Sequence, residues 1–316
     1  MALCDQLEQQ SYQQLDAHNQ LVDALLATLT QNQNADELAN NWQRLAAHFD
    51  TLFTTGYSIN SLKQTILQLA VMGKLCKQDP NDEPASELYA EITKVRERLA
   101  SNEGLKTSAN EQIDDDELYL SCPEGWKWLR LGNLAKFIDY RGKTPIKTDN
   151  GVRLITAKNI KYGYIDLNPE EYISHDDYKS WMTRGFPEVG DVLFTTEAPL
   201  GNVAKIELVE PFALAQRAIC FQWHTKAISQ FMLFQLIGAP FQQQLILQAT
   251  GMTATGIKAS RLKEIPVLLP PLNEQVKISN KVIQLFELCD VLAKNVSNTK
   301  QTQSVLAESL VGQVVA

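Results

Sequence analysis

Apolar residues follow a helical rhythm through the first third of the chain. Leu3, Leu7, Leu15, Val22, Leu25, Leu26 and Leu29 recur mostly three, four, seven or eight positions apart, with Asp, Gln and Glu between them. That spacing predicts an amphipathic helix over residues 1–30. A second stripe, Leu38, Trp42, Leu45, Phe49 and Leu52, predicts another helix before Gly56 and Ser58 break the pattern. A third, Leu62, Ile66, Leu69 and Met72, is ended by Gly73. Pro84 then reads as a first-turn proline opening "PASELYAEITKVRERLA".

The rhythm changes after the polar connector "SNEGLKTSANEQIDDDE". "VRLITAKNI", "GDVLFTTEA", "NVAKIELV" and "RAICFQW" are short β-prone runs separated by Gly, Pro, Asn and Asp. A helix is expected from near Ser229, bent or split at Pro240. A strand-like "EIPVLLPP" closes the region, so 118–270 is read as one α/β domain between helical regions at 1–117 and 271–316. In the last segment Asn273 is a candidate N-cap with Glu274 in the first turn. Ile278, Val282, Leu285, Cys289, Leu292 and Val296 then advance by fours and threes, and Val305, Leu306, Leu310 and Val311 resume the stripe. A helix of that length reaches roughly 60 Å and needs something to pack on.

The two flanks echo each other. "QTILQLAVMGKL" (64–75) and "QSVLAESLVGQV" (303–314) share Gln64/Gln303, Leu67/Leu306 and Gly73/Gly312, and "LCDQL" (3–7) resembles "LCDVL" (288–292). Together they point to duplicated helices on either side of one α/β domain. Such helices could pack antiparallel within one chain or across a dimer.

Charge locates where an anion could be gripped. The net charge is −8, divided as −11 over 1–129, +3 over 130–265 and 0 over 266–316. The middle domain is therefore the electrostatic candidate. The five cysteines are scattered, which suits neither a disulfide framework nor a zinc site. The start "MALCDQLEQQ" lacks the basic and apolar regions of a signal peptide, and no apolar stretch approaches a bilayer span. A cytoplasmic, metal-free protein is expected.

Catalytic chemistry is not indicated. The chain has neither G-x-G-x-x-G nor the P-loop pattern, and His18, His48, His175 and His224 are dispersed. "SHDDY" around His175 reads as a solvated turn. A recognition surface fits better. "DYRGKTPIK" offers Arg141, Lys143 and Thr144, "TAKNIKYGYI" offers Lys158, Asn159, Lys161, Tyr162 and Tyr164, and "ATGMTATGIKASRLKEI" offers Lys258, Arg261 and Lys263. Small residues let a backbone approach a phosphate, while Arg, Lys, Asn and Gln can read base edges.

Several of these segments, in order, resemble the specificity subunits of type I restriction-modification enzymes. The resemblance runs through 61–99, "CPEGWKWLRLGNLAKF", "YRGKTP", "ITAKNI", "GDVLFTTEAPLGNVAKI", "QRAICFQ" and, most specifically, "TGIKASRLKEIPVLLPPLNEQVKIS". It implies an α/β (α+β) target recognition domain flanked by long conserved helices packed as an antiparallel coiled coil, with no active site of its own. It further implies double-stranded DNA as ligand, and methyltransferase and restriction subunits as partners that bring S-adenosylmethionine, ATP and Mg2+ chemistry in a prokaryotic cytoplasm. One recognition domain stands here where a full member has two, like the second half of such a subunit. A natural half-subunit able to homodimerise, a truncation and a fragment are all open. Carried onto this sequence, the resemblance nominates Arg141, Lys143, Thr144, Lys158, Asn159, Thr253, Thr255, Lys258 and Arg261 as DNA contacts, beside Lys161 and Tyr162. The scaffold set is Leu62, Ile66, Leu69, Gly73, Ile278, Val282, Leu285, Cys289, Leu292, Leu306, Leu310 and Gly312. For Gln216 and Arg217 the competing role is a fold-supporting network beside "GDVLFTTEAPLG".

Overall fold

The computed structural model describes residues 2–31, 35–103, 112–140, 145–215, 217–251 and 255–315. In chain order the helices α1 (Ala2–Thr30), α2 (Ala35–Ala47), α3 (Phe49–Leu52), α4 (Gly56–Val71) and α5 (Ala85–Glu103) come first. They are followed by β1 (Lys127–Arg130), β2 (Ala135–Asp139), β3 (Val152–Ile155), β4 (Tyr172–Ile173) and α6 (His175–Trp181). Then come β5 (Val192–Thr196), β6 (Leu200–Lys205), β7 (Phe212–Leu214), β8 (Ala218–Trp223), α7 (Ser229–Ile237) and α8 (Ala239–Gln248). The chain closes with α9 (Ala259–Glu264), β9 (Pro266–Leu269) and the long α10 (Leu272–Val315). This is a mixed α/β protein with several helices and sheets. The expected split at Pro240 is realised, because Gly238 ends α7 and the proline occupies the first turn of α8.

Residues 71–279 form the larger compact unit. Its four-stranded antiparallel sheet runs β2-β8-β5-β6, and a three-stranded sheet runs β4-β3-β7 with β3 and β7 parallel. Complete burial of β5 and near-complete burial of β8 read as strands covered on both faces. Ile138, Leu154, Ile155, Leu193, Phe212, Leu214 and Cys220 meet in the core. A separate antiparallel pair, β1 with β9, places Lys127 opposite Leu269 and Arg130 opposite Pro266. It ties the start of the α/β region to its end, a pairing over sequence distance that local spacing cannot announce.

The unit begins well before residue 118, and three contacts explain why. The Ala85 amide donates to the Gly125 carbonyl at 2.8 Å. Gly73 has φ +68, and a Cβ there would lie 2.8 Å from Pro123 Cγ and 3.2 Å from Trp126 Cζ2. The buried Arg130 guanidinium donates to Glu117 at 2.5 and 2.7 Å, to the Gln112 carbonyl at 2.6 Å and to the Glu264 carbonyl at 2.7 Å. The connector after residue 111 is thus pinned to the strand pair. At the other end, the "PLNEQ" segment starts α10 at Leu272, two residues before an N-cap at Asn273 would have placed it. Pro271 accepts the first helical bond from the Gln275 amide, and the Asn273 side chain donates to Asp82 rather than capping. Glu274 is buried and accepts from Trp126 Nε1 at 2.8 Å and Gln78 at 3.2 Å.

The smaller unit comprises residues 1–70 and 280–316. Its core joins Val22, Leu26 and Leu29 of α1, Leu45, Leu52 and Phe53, Leu62, Ile66, Leu67 and Leu69 of α4, and Val282 and Cys289 of α10, all buried. Lys63 pairs with Asp290 at 2.5 Å and lies over the Phe286 ring. The two halves of the internal repeat meet different fates here. Leu67 is 1% exposed, whereas its counterpart Leu306 is 58% exposed. The glycines differ too. Gly73 follows the end of α4 in a left-handed conformation, while α10 continues through Gly312 to Val315, so the expected matching helix ends are not found.

Candidate nucleic-acid interface

The loop leading into α9 is built by close backbone approach. Thr250 and Gly256 exchange amide–carbonyl bonds at 2.9 and 3.1 Å, closing the loop between them. The Ile257 amide donates to the Thr196 carbonyl at 3.0 Å, docking the loop on the end of β5. A Cβ on Gly256 would sit 3.2 Å from both Glu197 Cβ and the Thr196 oxygen, so a small residue is needed for that docking. Thr255 and Lys258 emerge exposed on either side of it. Leu262 is buried and anchors α9, while the exposed Arg261 donates to the Gln248 carbonyl at 3.2 Å. Three of the nominated residues, Thr255, Lys258 and Arg261, are therefore exposed along one short segment docked on the end of β5. Thr253 lies outside the described residues.

A second nominated group follows β3. Lys158 is exposed, Lys161 is half-buried, and the Tyr162 hydroxyl donates to the Ile237 carbonyl where α7 meets α8. The Gly163 amide donates to the Val203 carbonyl at 2.8 Å, and the Asn202 amide group donates to the Ile160 carbonyl at 2.8 Å. Both groups consequently rest on the β5–β6 hairpin, the first on its tip and the second on β6. Asn159 departs from its expected contact role. It is 1% exposed, its Oδ1 accepts from the Thr156 amide and hydroxyl, and its Nδ2 donates to the Asp166 and Pro169 carbonyls. Every hydrogen-bonding position of that side chain is used to close the 156–169 loop, leaving none to present outward. Arg141, Lys143 and Thr144 lie outside the described residues.

At the hairpin tip Arg217, set by its sequence beside "GDVLFTTEAPLG", meets a partner that the pattern did not name, Glu197; Gln216 lies outside the described residues. Arg217 Nε lies 2.8 Å from Glu197 Oε1, and both side chains are part-exposed. The sequence cue was faint: one carboxylate at a strand end in "TTEAPLG" and one cation in "QRA".

Several other polar residues serve the fold. Ser174 caps α6 through the Asp177 amide at 3.0 Å, so "SHDDY" is a helix start. Burial holds the His224 imidazole down to about 4. Arg130 keeps the Glu117 carboxyl below its usual range, and burial pushes the Glu274 carboxyl up. Among the described residues no cluster of three or more His, Cys, Asp or Glu could hold a metal ion, and no described helix is long and apolar enough to cross a membrane.

Of the scaffold set, Leu62, Ile66, Leu69, Ile278, Val282 and Cys289 are buried, Leu285 and Leu292 are half-buried, and Leu306 and Leu310 are exposed.

Residues 123–299 match the family model for the type I restriction modification DNA specificity domain. The matched span holds both surface groups, the hairpin beneath them and α10 as far as residue 299. The chain belongs to this family. It is 38% identical over 98% of its length to the type I restriction enzyme EcoAI specificity subunit of Escherichia coli, covering 54% of that protein. It is also 37% identical over 98% of its length to the EcoEI specificity subunit of the same organism, again covering 54%. The chain thus spans about half the length of the curated relatives it matches. Among solved structures, the HsdS subunit from Thermoanaerobacter tengcongensis aligns with 81% of this chain and 55% of its own, at 17% identity and a TM-score of 0.45.

Proposed function

We propose that this chain is a DNA specificity subunit, or half of one, of a type I restriction-modification complex. The observation that carries this reading is the family match over 123–299, which contains the exposed Thr255, Lys258 and Arg261. In this reading residues 118–270 bind one half of a bipartite double-stranded target. The helical regions 1–117 and 271–316 act as spacers, with α4 and α10 as an antiparallel coiled coil, and dock methyltransferase and restriction subunits. The chain acts without catalysis or a cofactor of its own, and the partners supply S-adenosylmethionine, ATP and Mg2+ chemistry. The Lys63–Asp290 pair beside the buried Ile66 and Cys289 supports packing of these two helices.

The exposed stripe Val305, Leu306, Leu310 and Val311 supports a macromolecular partner for the distal part of α10, whether a second copy of this chain or a methyltransferase subunit. A homodimer would present two recognition domains and read a palindromic interrupted site. The alternative reading, a helical assembly adaptor with a non-DNA α/β module, draws on the same stripe and on the acidic first third.

Electrophoretic mobility shift of duplex DNA, with the co-expressed methyltransferase subunit present, separates the two. Sequence-selective, salt-dependent binding that Lys258→Ala and Arg261→Ala weaken supports recognition. Assembly with the methyltransferase but no duplex binding at low salt supports the adaptor.

A further inference from the structure

The Arg217–Glu197 pair occupies a place that a fold-supporting ion pair does not require. Three backbone segments converge there. The Thr196 amide and hydroxyl both reach the Arg217 carbonyl, at 2.9 and 3.3 Å, and the Ile257 amide reaches the Thr196 carbonyl at 3.0 Å. Glu197 is bridged to Gly256, two residues before Lys258. Arg217 is held at φ +71 and the neighbouring tip residue Ala198 at φ +47. Left-handed geometry at a residue with a side chain is unfavourable, and a half-exposed ion pair returns less than that cost. Strain kept at an exposed position points to a use for the side chain it aims.

The chemistry narrows that use. Arg217 Nε is engaged by Glu197, so the guanidinium is gripped along one side while its terminal Nη1 and Nη2 donors form a fork. A fork of this kind matches two ligands on DNA: a phosphate, or the O6/N7 edge of guanine in the major groove. The carboxylate decides between them. Glu197 brings a negative charge beside the fork, which repels a phosphate but tolerates a neutral base edge. A fixed carboxylate also removes rotamer freedom from the arginine, which sharpens discrimination between bases.

We propose that Arg217 is a base-reading residue that selects one guanine in the target half-site, and that Glu197 is its positioning residue. This rests on the DNA-recognition reading above. The pair adjoins the segment that bears Thr255, Lys258 and Arg261, through the Glu197–Gly256 bridge, and those side chains are suited to phosphates.

Selection from a pool of randomised duplexes, using the full chain with its co-expressed methyltransferase subunit, tests it. Arg217→Gly is the main variant, because glycine eases the positive φ while removing the guanidinium. The wild-type pool is expected to show a discrete motif, and the Arg217→Gly pool the same motif with one guanine position relaxed by about 5- to 150-fold in discrimination. Glu197→Gln should relax that same position by less. Replacing that guanine with 7-deazaguanine should weaken wild-type binding and leave Arg217→Gly binding unchanged. An unchanged motif in Arg217→Gly overturns the assignment while leaving the recognition reading intact. A uniform loss of affinity across all sequences, with a shallower salt dependence, makes Arg217 a phosphate contact and also overturns it. No motif for the wild-type complex removes the recognition reading itself, and the inference falls with it.

Discussion

Replacing Arg130 with methionine tests how the connector before residue 118 is held. The side chain is 5% exposed and donates four bonds of 2.5 to 2.7 Å, two to the Glu117 carboxylate and two to the carbonyls of Gln112 and Glu264. Methionine keeps much of the apolar stem but leaves those acceptors without their donor. Breaking a buried ion pair on one side costs about 3–5 kcal/mol. Glu117 is one-third exposed and rehydrates once released, so the expected loss is smaller, about 2–3 kcal/mol. For a unit of the size of 71–279 that corresponds to a midpoint lowered by roughly 4–12 °C. Thermal denaturation reads the loss, and a glutamate-specific protease should cut after Glu117 faster in the variant. The deficit also carries a pH signature. Arg130 lowers the Glu117 carboxyl, so the pair's contribution is fully present above the ordinary carboxylate pKa and is lost as pH falls through the lowered value. Wild type and variant should therefore converge in acid. A loss under about 1 kcal/mol at neutral pH, with unchanged cleavage after Glu117, would mean that Arg130 does not hold the connector.

Three further outcomes are expected. Gly73→Ala should cost about 2–3 kcal/mol in chemical denaturation, because the left-handed backbone and the Pro123 contact both oppose a side chain, whereas Gly312→Ala, within α10, should be neutral or stabilise by up to about 1 kcal/mol. In Glu274→Gln the neutral amide replaces a carboxyl whose folded pKa burial raises. The wild-type group's favourable contribution is present below its unfolded pKa and fades as pH rises through the folded one, so the variant should gain stability relative to wild type as pH is raised above the ordinary carboxylate range. Asn159→Ala should lower stability by about 1–3 kcal/mol, since it orphans buried partners in the 156–169 loop; a fully stable variant that merely binds DNA less well would restore Asn159 to the contact set.

What the sequence disclosed, and what it hid, divides along physical lines. Helices were legible because apolar spacing is local: Leu62, Ile66 and Leu69 mark the buried face of α4, and Pro240 marks a helix boundary through its missing amide. The segment bearing Thr255, Lys258 and Arg261 was legible for the same reason, since those residues are close in sequence. Pairing of β1 with β9 was not legible, because register between strands 140 residues apart depends on which core assembles. Asn159 looked like a contact because an Asn between two lysines is chemically suited to one; only the positions of the Thr156, Asp166 and Pro169 backbone reveal that its amide is spent internally. Arg217 and Glu197 meet through the sheet, twenty residues apart in the chain, and their pairing became visible only with β5 and β8 aligned. The repeat suggested two equivalent helix ends, but equivalence of lettering does not fix surroundings: α4 is covered and the distal stripe of α10 is not.

In the proposed function the α/β region chooses a DNA sequence for a methyltransferase partner. Sequencing the methylated bases of the host genome, with the gene intact and with it deleted, tests this most directly. One methylated motif is expected to disappear on deletion and to return with the wild-type gene, while Lys258→Ala combined with Arg261→Ala restores it only weakly. A methylation pattern identical with and without the gene, in cells where the chain and the methyltransferase are both expressed, would contradict it.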